Sequence, residues 1–210
     1  MCNQVHGQVI STFDTDTDGW TLINDGDNDT IPLIHNATGG NPGGHISGNT
    51  PTDNYPGYFW YAPAKFLGNL AYKSLGQTLT FSLQQLVTGN NSEFNGNYYE
   101  AFHADVFITN GNSTLYFHTT PKPTLIPDWS TYSVTLDETS AWRTTANATG
   151  PLATRAQIMS ILRNVTQLGI RANYNLTANT VALDEVSLGQ LPVLAPPVVS
   201  SFAPLSGAAG

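Results

Sequence analysis

Three stretches of this chain alternate at a period of two, and that pattern limits the fold more than any other feature. In residues 131–136, Tyr132, Val134 and Leu136 fall on one side of an extended chain, and Thr131, Ser133 and Thr135 on the other. Residues 104–110 and 114–119 alternate in the same way. A strand with one apolar face must bury that face, so such pieces pair into sheets and the sheets stack. Residues 11–24 read as a strand, an acidic turn and a second strand. Residues 75–86 read as another strand, and 181–188 as a central or near-central one. The connecting segments are rich in Gly, Asn, Thr and Pro. Charged residues make up only 10% of the chain, too few for helices laced with salt bridges. With 9 Tyr, 9 Phe and 4 Trp, the 210 residues can fill the core of one sandwich-sized domain.

One segment changes period. Ile158, Ile161, Leu162 and Val165, followed by Leu168, recur at helical spacing, and Thr154 with Gln157 forms a capping-box signature in front of them. The spacing predicts one amphipathic helix over residues 155–166, packed across an end of the sandwich. Residues 36–48 carry Gly39-Gly40-Asn41-Pro42-Gly43-Gly44 and are expected to form a tight loop. Residues 88–99 are polar and rich in Asn and Gly, long enough to suggest a functional loop.

The order of motifs carries a family resemblance. Tyr58-Phe59-Trp60-Tyr61, Ala62-Pro63 and Lys65-Phe66-Leu67-Gly68-Asn69 are followed by a Gly and a strand ending in Phe81. Asp105-Val106, Leu136-Asp137-Glu138 with Trp142, Ile170-Arg171-Ala172 and Leu183-Asp184-Glu185-Val186-Ser187-Leu188 follow in register. This series, from Phe13 to Leu188, resembles the laminin IV type A module, also called the laminin B domain. The resemblance implies a non-enzymatic, extracellular β-sandwich. Phe13-Asp14 with Gly19-Trp20, and the closing Leu183–Leu188 run, resemble galactose-binding-like sandwiches. The expected fold is therefore all-β: a jelly-roll sandwich of galactose-binding-like, carbohydrate-binding-module-like type with one short helix. Residues 1–10 are expected to form an N-terminal segment and 11–189 the sandwich. Residues 190–210 form a Pro-rich linker, and Val199-Ser200-Ser201-Phe202-Ala203-Pro204 resembles the start of an Ig-like IPT/TIG domain. The chain thus reads as one module of a longer surface protein.

Charge and cysteine content narrow the partners. A net charge of −8 with 7 Lys+Arg argues against nucleic acid and anionic membrane surfaces, and favours neutral ligands or cations. No apolar run approaches the ~20 residues of a membrane span, and no signal peptide is present. Cys2 stands alone, so no disulfide forms within the chain; it is either a lipidation site or a processing remnant. Asn28, Asn36, Asn90, Asn112, Asn147, Asn164 and Asn175 match the glycosylation sequon, in a composition where chance produces several.

Two cation readings arise. Asp14, Asp16 and Asp18 before Gly19, with Asp25 at the twelfth position, have EF-hand spacing, although the flanks read as strands and position twelve is usually Glu. The galactose-binding-like resemblance implies a different, structural calcium. It would be held by Asp14 or a nearby carbonyl, a carbonyl in the loop at Asn41 to Gly44, and Asp184. The bland alternative is that Asp184 caps a turn without metal.

Catalytic signatures are lacking. The five His residues lack metal-ligand spacing, no H-E-x-x-H, G-x-S-x-G or phosphate loop occurs, and the four Glu residues read as solvated or turn acids. Trp20, Phe66, Phe81 and Trp142 are assigned to the core. Tyr98, Tyr99 and Trp129 are the expected surface aromatics, where sugar rings could stack. The reading is a non-catalytic extracellular module for adhesion or glycan binding, with a glycan or cell-surface component as partner. A structural spacer and a polysaccharide-acting enzyme are the other two readings.

Overall fold

The computed structural model describes residues 8–51, 57–86, 104–123, 128–174 and 178–189. Tyr98, Tyr99 and the 190–210 tail lie outside them. Two antiparallel sheets face each other. The first is ordered β10 (Ser130–Thr135), β7 (Thr78–Leu86), β12 (Asn179–Leu188), β5 (His45–Thr50) and β4 (Leu33–Asn36), with β1 (Val9–Ser11) also pairing β12. The second is ordered β3 (Thr30–Ile31), β2 (Thr21–Asn24), β6 (Tyr58–Tyr61), β11 (Gln167–Arg171), β8 (Val106–Thr109) and β9 (Thr114–Phe117). This is the expected β-sandwich, with 181–188 inside a central strand.

The period-two pattern explains the core. Leu79, Phe81 and Leu83 on β7, Val181 and Leu183 on β12 and Ile46 on β5 face inward. They meet Leu22, Trp60, Leu168, Ile170, Val106, Ile108 and Leu115 of the second sheet, all fully buried in one cluster. Strand β12 departs from strict alternation. Leu183 and Val186 are both in the core although an odd number of positions separates them, which a regular strand forbids. A bulge resets the phase: the register against β7 shifts between Asp184 and Ser187, and Glu185 takes a left-handed φ of 48°. Asp184, the last residue in regular register before the bulge, lies on the outer face of the first sheet by alternation with Leu183, opposite Ser82 of β7. Trp20, Phe66, Phe81 and Trp142 are buried as expected. The two indoles are tied through their N–H groups, Trp20 to Ser11 Oγ (2.9 Å) and Trp142 to the Thr135 carbonyl (2.8 Å).

A four-residue helix α1 (Ala71–Ser74) precedes β7, and the sequence pattern missed it. Helix α2 (Arg155–Leu162) begins at the capping box: Thr154 Oγ1 accepts from the Gln157 N–H, and Gln157 Oε1 from the Thr154 N–H (2.8 Å). It ends four residues earlier than its spacing predicts. Val165 leaves the helix to exchange backbone hydrogen bonds with Gly68, and Leu168 belongs to β11. Both are buried, so the apolar spacing spans a helix and the strand after it. The expected 36–48 loop is also shorter, because His45 already opens β5.

Candidate functional site

Two places in the fold gather chemistry. The first is the outer face of the first sheet, where the Gly-rich loop lies over Asp184. The loop is shaped by Gly39 and Gly43, both at φ of 85°. Asp184 is fully buried: Oδ2 accepts the backbone N–H of Asn41, and Oδ1 that of Glu185 (2.7 Å). The Asn41 side chain crosses to Thr131 Oγ1 (3.1 Å). Asp14 reaches the same loop, its Oδ1 accepting from the Gly44 N–H (3.1 Å). Sequence reasoning thus named three segments that the fold does bring together. Burial pushes the Asp184 carboxyl up to about 6, against the pull of the two N–H groups, with the negative charges of Glu185 and Asp14 adding to the rise. Asp14, held by the Gly44 N–H and the Thr12 hydroxyl, is shifted down.

The donors suit a hard cation in kind. A Cβ on Gly40 would meet the Gly44 carbonyl oxygen at 2.2 Å and Asp184 Oδ2 at 2.5 Å, and one on Gly43 would meet Asp14 Oδ1 at 2.3 Å. Three oxygens therefore turn toward the loop's backbone where only glycine fits. Among the described residues no three His, Cys, Asp or Glu side chains converge as a metal site, so carbonyls would have to complete the shell. Trp129 packs on this loop, donating Nε1–H to the Gly39 carbonyl (3.1 Å) with its ring edge-to-face on His45 at 5.5 Å. The EF-hand spacing is not realised. Asp18 is held by Lys65 and by the Ser11 hydroxyl (2.6 Å), and Asp25 borders a cleft on the second sheet instead.

That cleft is the second place, and its aromatic residues lie outside the candidate site residues named above. On the outer face of the second sheet, Tyr61, Phe107 and Tyr116 stand at the positions opposite the core-facing ones, each partly exposed. Phe107 lies over β11 because its cross-strand partner there is Gly169, whose added Cβ would sit 2.2 Å from the ring. The ring meets Phe59 and Tyr61 of β6 edge-to-face at 5.3 and 5.7 Å. The result is a low aromatic floor. It floors a cleft of about 530 Å³ walled by Thr109, Thr114, Thr166, Gln167 and Asp25. A second cleft of about 400 Å³ lies between β9 and α2, lined by Asn112, Ser113, Thr144, Gln157 and Ser160. The readable signal was the doubly apolar runs Tyr58–Tyr61 and Val106-Phe107-Ile108, which put large side chains on both faces of their strands.

The sequence model of the family described as Laminin B (Domain IV) matches residues 59–191. The L4b domain of human laminin alpha-2 is similar in structure at 14% identity, over 88% of this chain and 99% of that one, with a TM-score of 0.61. The CBM22-1 xylan-binding domain from Paenibacillus barcinonensis matches at 11% identity over 89% and 97% of the two chains, with a TM-score of 0.46. An exo-beta-agarase matches at 10% identity over 85% of this chain and 24% of its own, with a TM-score of 0.47. No curated protein sequence matches.

Proposed function

The chain belongs to the laminin B (domain IV) family, and on that premise we propose that it is a non-catalytic extracellular module that binds glycan on the outer face of its second sheet. The cleft over Tyr61, Phe107 and Tyr116 carries this reading. Its volume falls in the range of ordinary ligand sites. Partly exposed rings offer flat apolar surface to a sugar, and Thr, Gln and Tyr side chains around them donate and accept hydrogen bonds to hydroxyls. No Lys or Arg among the described residues lines it, which favours an uncharged ligand. No described helix is long and apolar enough to cross a membrane.

The other two readings have less support. An in-line spacer needs its ends far apart, whereas Val9 and Leu188 are cross-strand partners, so both ends of the folded module leave from one place. A glycoside hydrolase needs two carboxyl groups across a cleft. Among the described residues Asp25 is the one acid lining either cleft, Asp105 is buried against Lys122 (2.6 Å), and Glu138 pairs with Arg155 (3.2 Å).

The test is a glycan array followed by calorimetry on the best ligand. Tyr116→Ala and Tyr61→Ala are each expected to weaken binding by about tenfold or more, about 1.4 kcal/mol, with the melting temperature held. A Trp129→Ala variant, altered on the opposite sheet, should bind as the wild type does. Full affinity in both Tyr variants would remove the cleft as the site.

A further inference from the structure

The two clefts meet at one strand. Thr114 and Tyr116 of β9 line both of them, so the Tyr116 side chain stands between the aromatic floor on one side and the hydroxyl- and amide-lined cleft against α2 on the other. Among the described residues the second cleft carries no charged side chain: its wall is Asn112, Ser113, Thr144, Gln157 and Ser160, with Ile161 beneath. Its residues are exposed or partly exposed apart from Ile161, so the polar groups are open to a ligand. An aromatic surface followed by a row of neutral hydrogen-bonding groups matches a chain of sugars that repeats apolar ring faces and hydroxyl edges.

We propose that the two clefts form one continuous site for an extended stretch of neutral, linear polysaccharide, laid across β9 with Tyr116 at its centre, and not a pocket for a single terminal sugar. This rests on the glycan-binding reading and adds the length and charge class of the ligand. A single sugar residue can occupy only one of the two clefts, whereas an oligosaccharide that spans Tyr116 contacts both. Affinity must then grow with chain length, and the growth must depend on the cleft against α2.

Calorimetry with cello-, xylo-, manno- and laminari-oligosaccharides tests this, comparing the disaccharide and hexasaccharide of each series. In at least one series the hexasaccharide is expected to bind about tenfold tighter or more than the disaccharide. Ser160→Trp, which fills the cleft beside α2, should reduce hexasaccharide affinity to the disaccharide level and leave the disaccharide unaffected. Asn112→Ala, on an exposed turn, serves as the second variant and should act in the same direction should the tryptophan disturb the helix. Equal affinities for short and long ligands, or a length dependence that survives both variants, overturns the extended site while glycan binding stands. Binding only to acidic oligosaccharides such as heparin fragments overturns the neutral assignment. No binding to any series overturns this proposal and the glycan reading together.

Discussion

Leu162→Ala is expected to lower the unfolding free energy by about 2–5 kcal/mol. Leu162 is fully buried on the last turn of α2, beside Ile158 and Ile161. The helix has little latitude to follow a shrinking side chain. Its start is fixed by the Thr154–Gln157 capping box. Its end is fixed by backbone bonds: the Leu162 carbonyl accepts from the Leu70 N–H (2.7 Å), and Val165 and Gly68 exchange two more (2.8 Å each). A helix held at both ends cannot collapse into the space left behind, which puts the cost toward the upper part of the range. Chemical denaturation checks this. A loss under about 0.5 kcal/mol would mean that the stripe is not packed as described, since that is the scale of a surface substitution. Thr154→Ala, which removes only the cap, should cost about 1 kcal/mol.

That contrast also shows what the sequence made legible. The capping box and the apolar stripe are local signals, and they located α2 to within a turn. Its end was not local: Val165 keeps helical spacing from Ile161 but is claimed by Gly68, far away in sequence. Strand β5 shows the same effect. His45-Ile46-Ser47-Gly48 falls within the expected 36–48 loop, yet it belongs to a strand paired between β4 and β12. Gly48 is there because Leu22 of the facing sheet approaches so closely that a Cβ would meet its Cδ2 at 2.6 Å. The acid pairs divide along the same line. Asp14 and Asp184, paired by the galactose-binding-like resemblance, both bond the Gly-rich loop, through the Gly44 and Asn41 N–H groups. The evenly spaced Asp14, Asp16 and Asp18 suggested a calcium loop, but Asp18 is taken up by Lys65 and Ser11, and Asp25 at the twelfth position borders the cleft on the second sheet. The aromatic cleft was hidden for a different reason. Tyr61, Phe107 and Tyr116 come from three strands, and their adjacency depends on the order β6-β11-β8-β9, which no local pattern encodes.

Calcium is expected to raise the melting temperature, and a chelator to lower it. The motive is an electrostatic imbalance. Asp184 is fully buried and takes part in no ion pair among the described residues, and Asp14 and Glu185 add negative charge nearby. A buried carboxylate is costly until a cation or further hydrogen bonds compensate it. Asp184 Oδ2, Asp14 Oδ1 and the Gly44 carbonyl all turn toward the Gly-rich loop, and they are hard oxygens of the kind calcium takes. A cation held there would tie the segment after β1, the loop and β12 into one unit, in a chain whose single cysteine cannot form an internal disulfide. A ligand that binds only the folded state adds about 2.7 kcal/mol at a hundredfold excess over Kd, or roughly 5–11 °C for a domain of this size. Asp184→Asn should abolish the response. Asp18→Asn should retain it, because Asp18 belongs to the Lys65 contact and not to the loop. Equal melting temperatures in calcium and after thorough chelation would remove the cation and leave Asp184 as an acceptor for the Asn41 and Glu185 N–H groups. Loss of the response in Asp18→Asn but not in Asp184→Asn would move the cation from the Gly-rich loop to the aspartate turn.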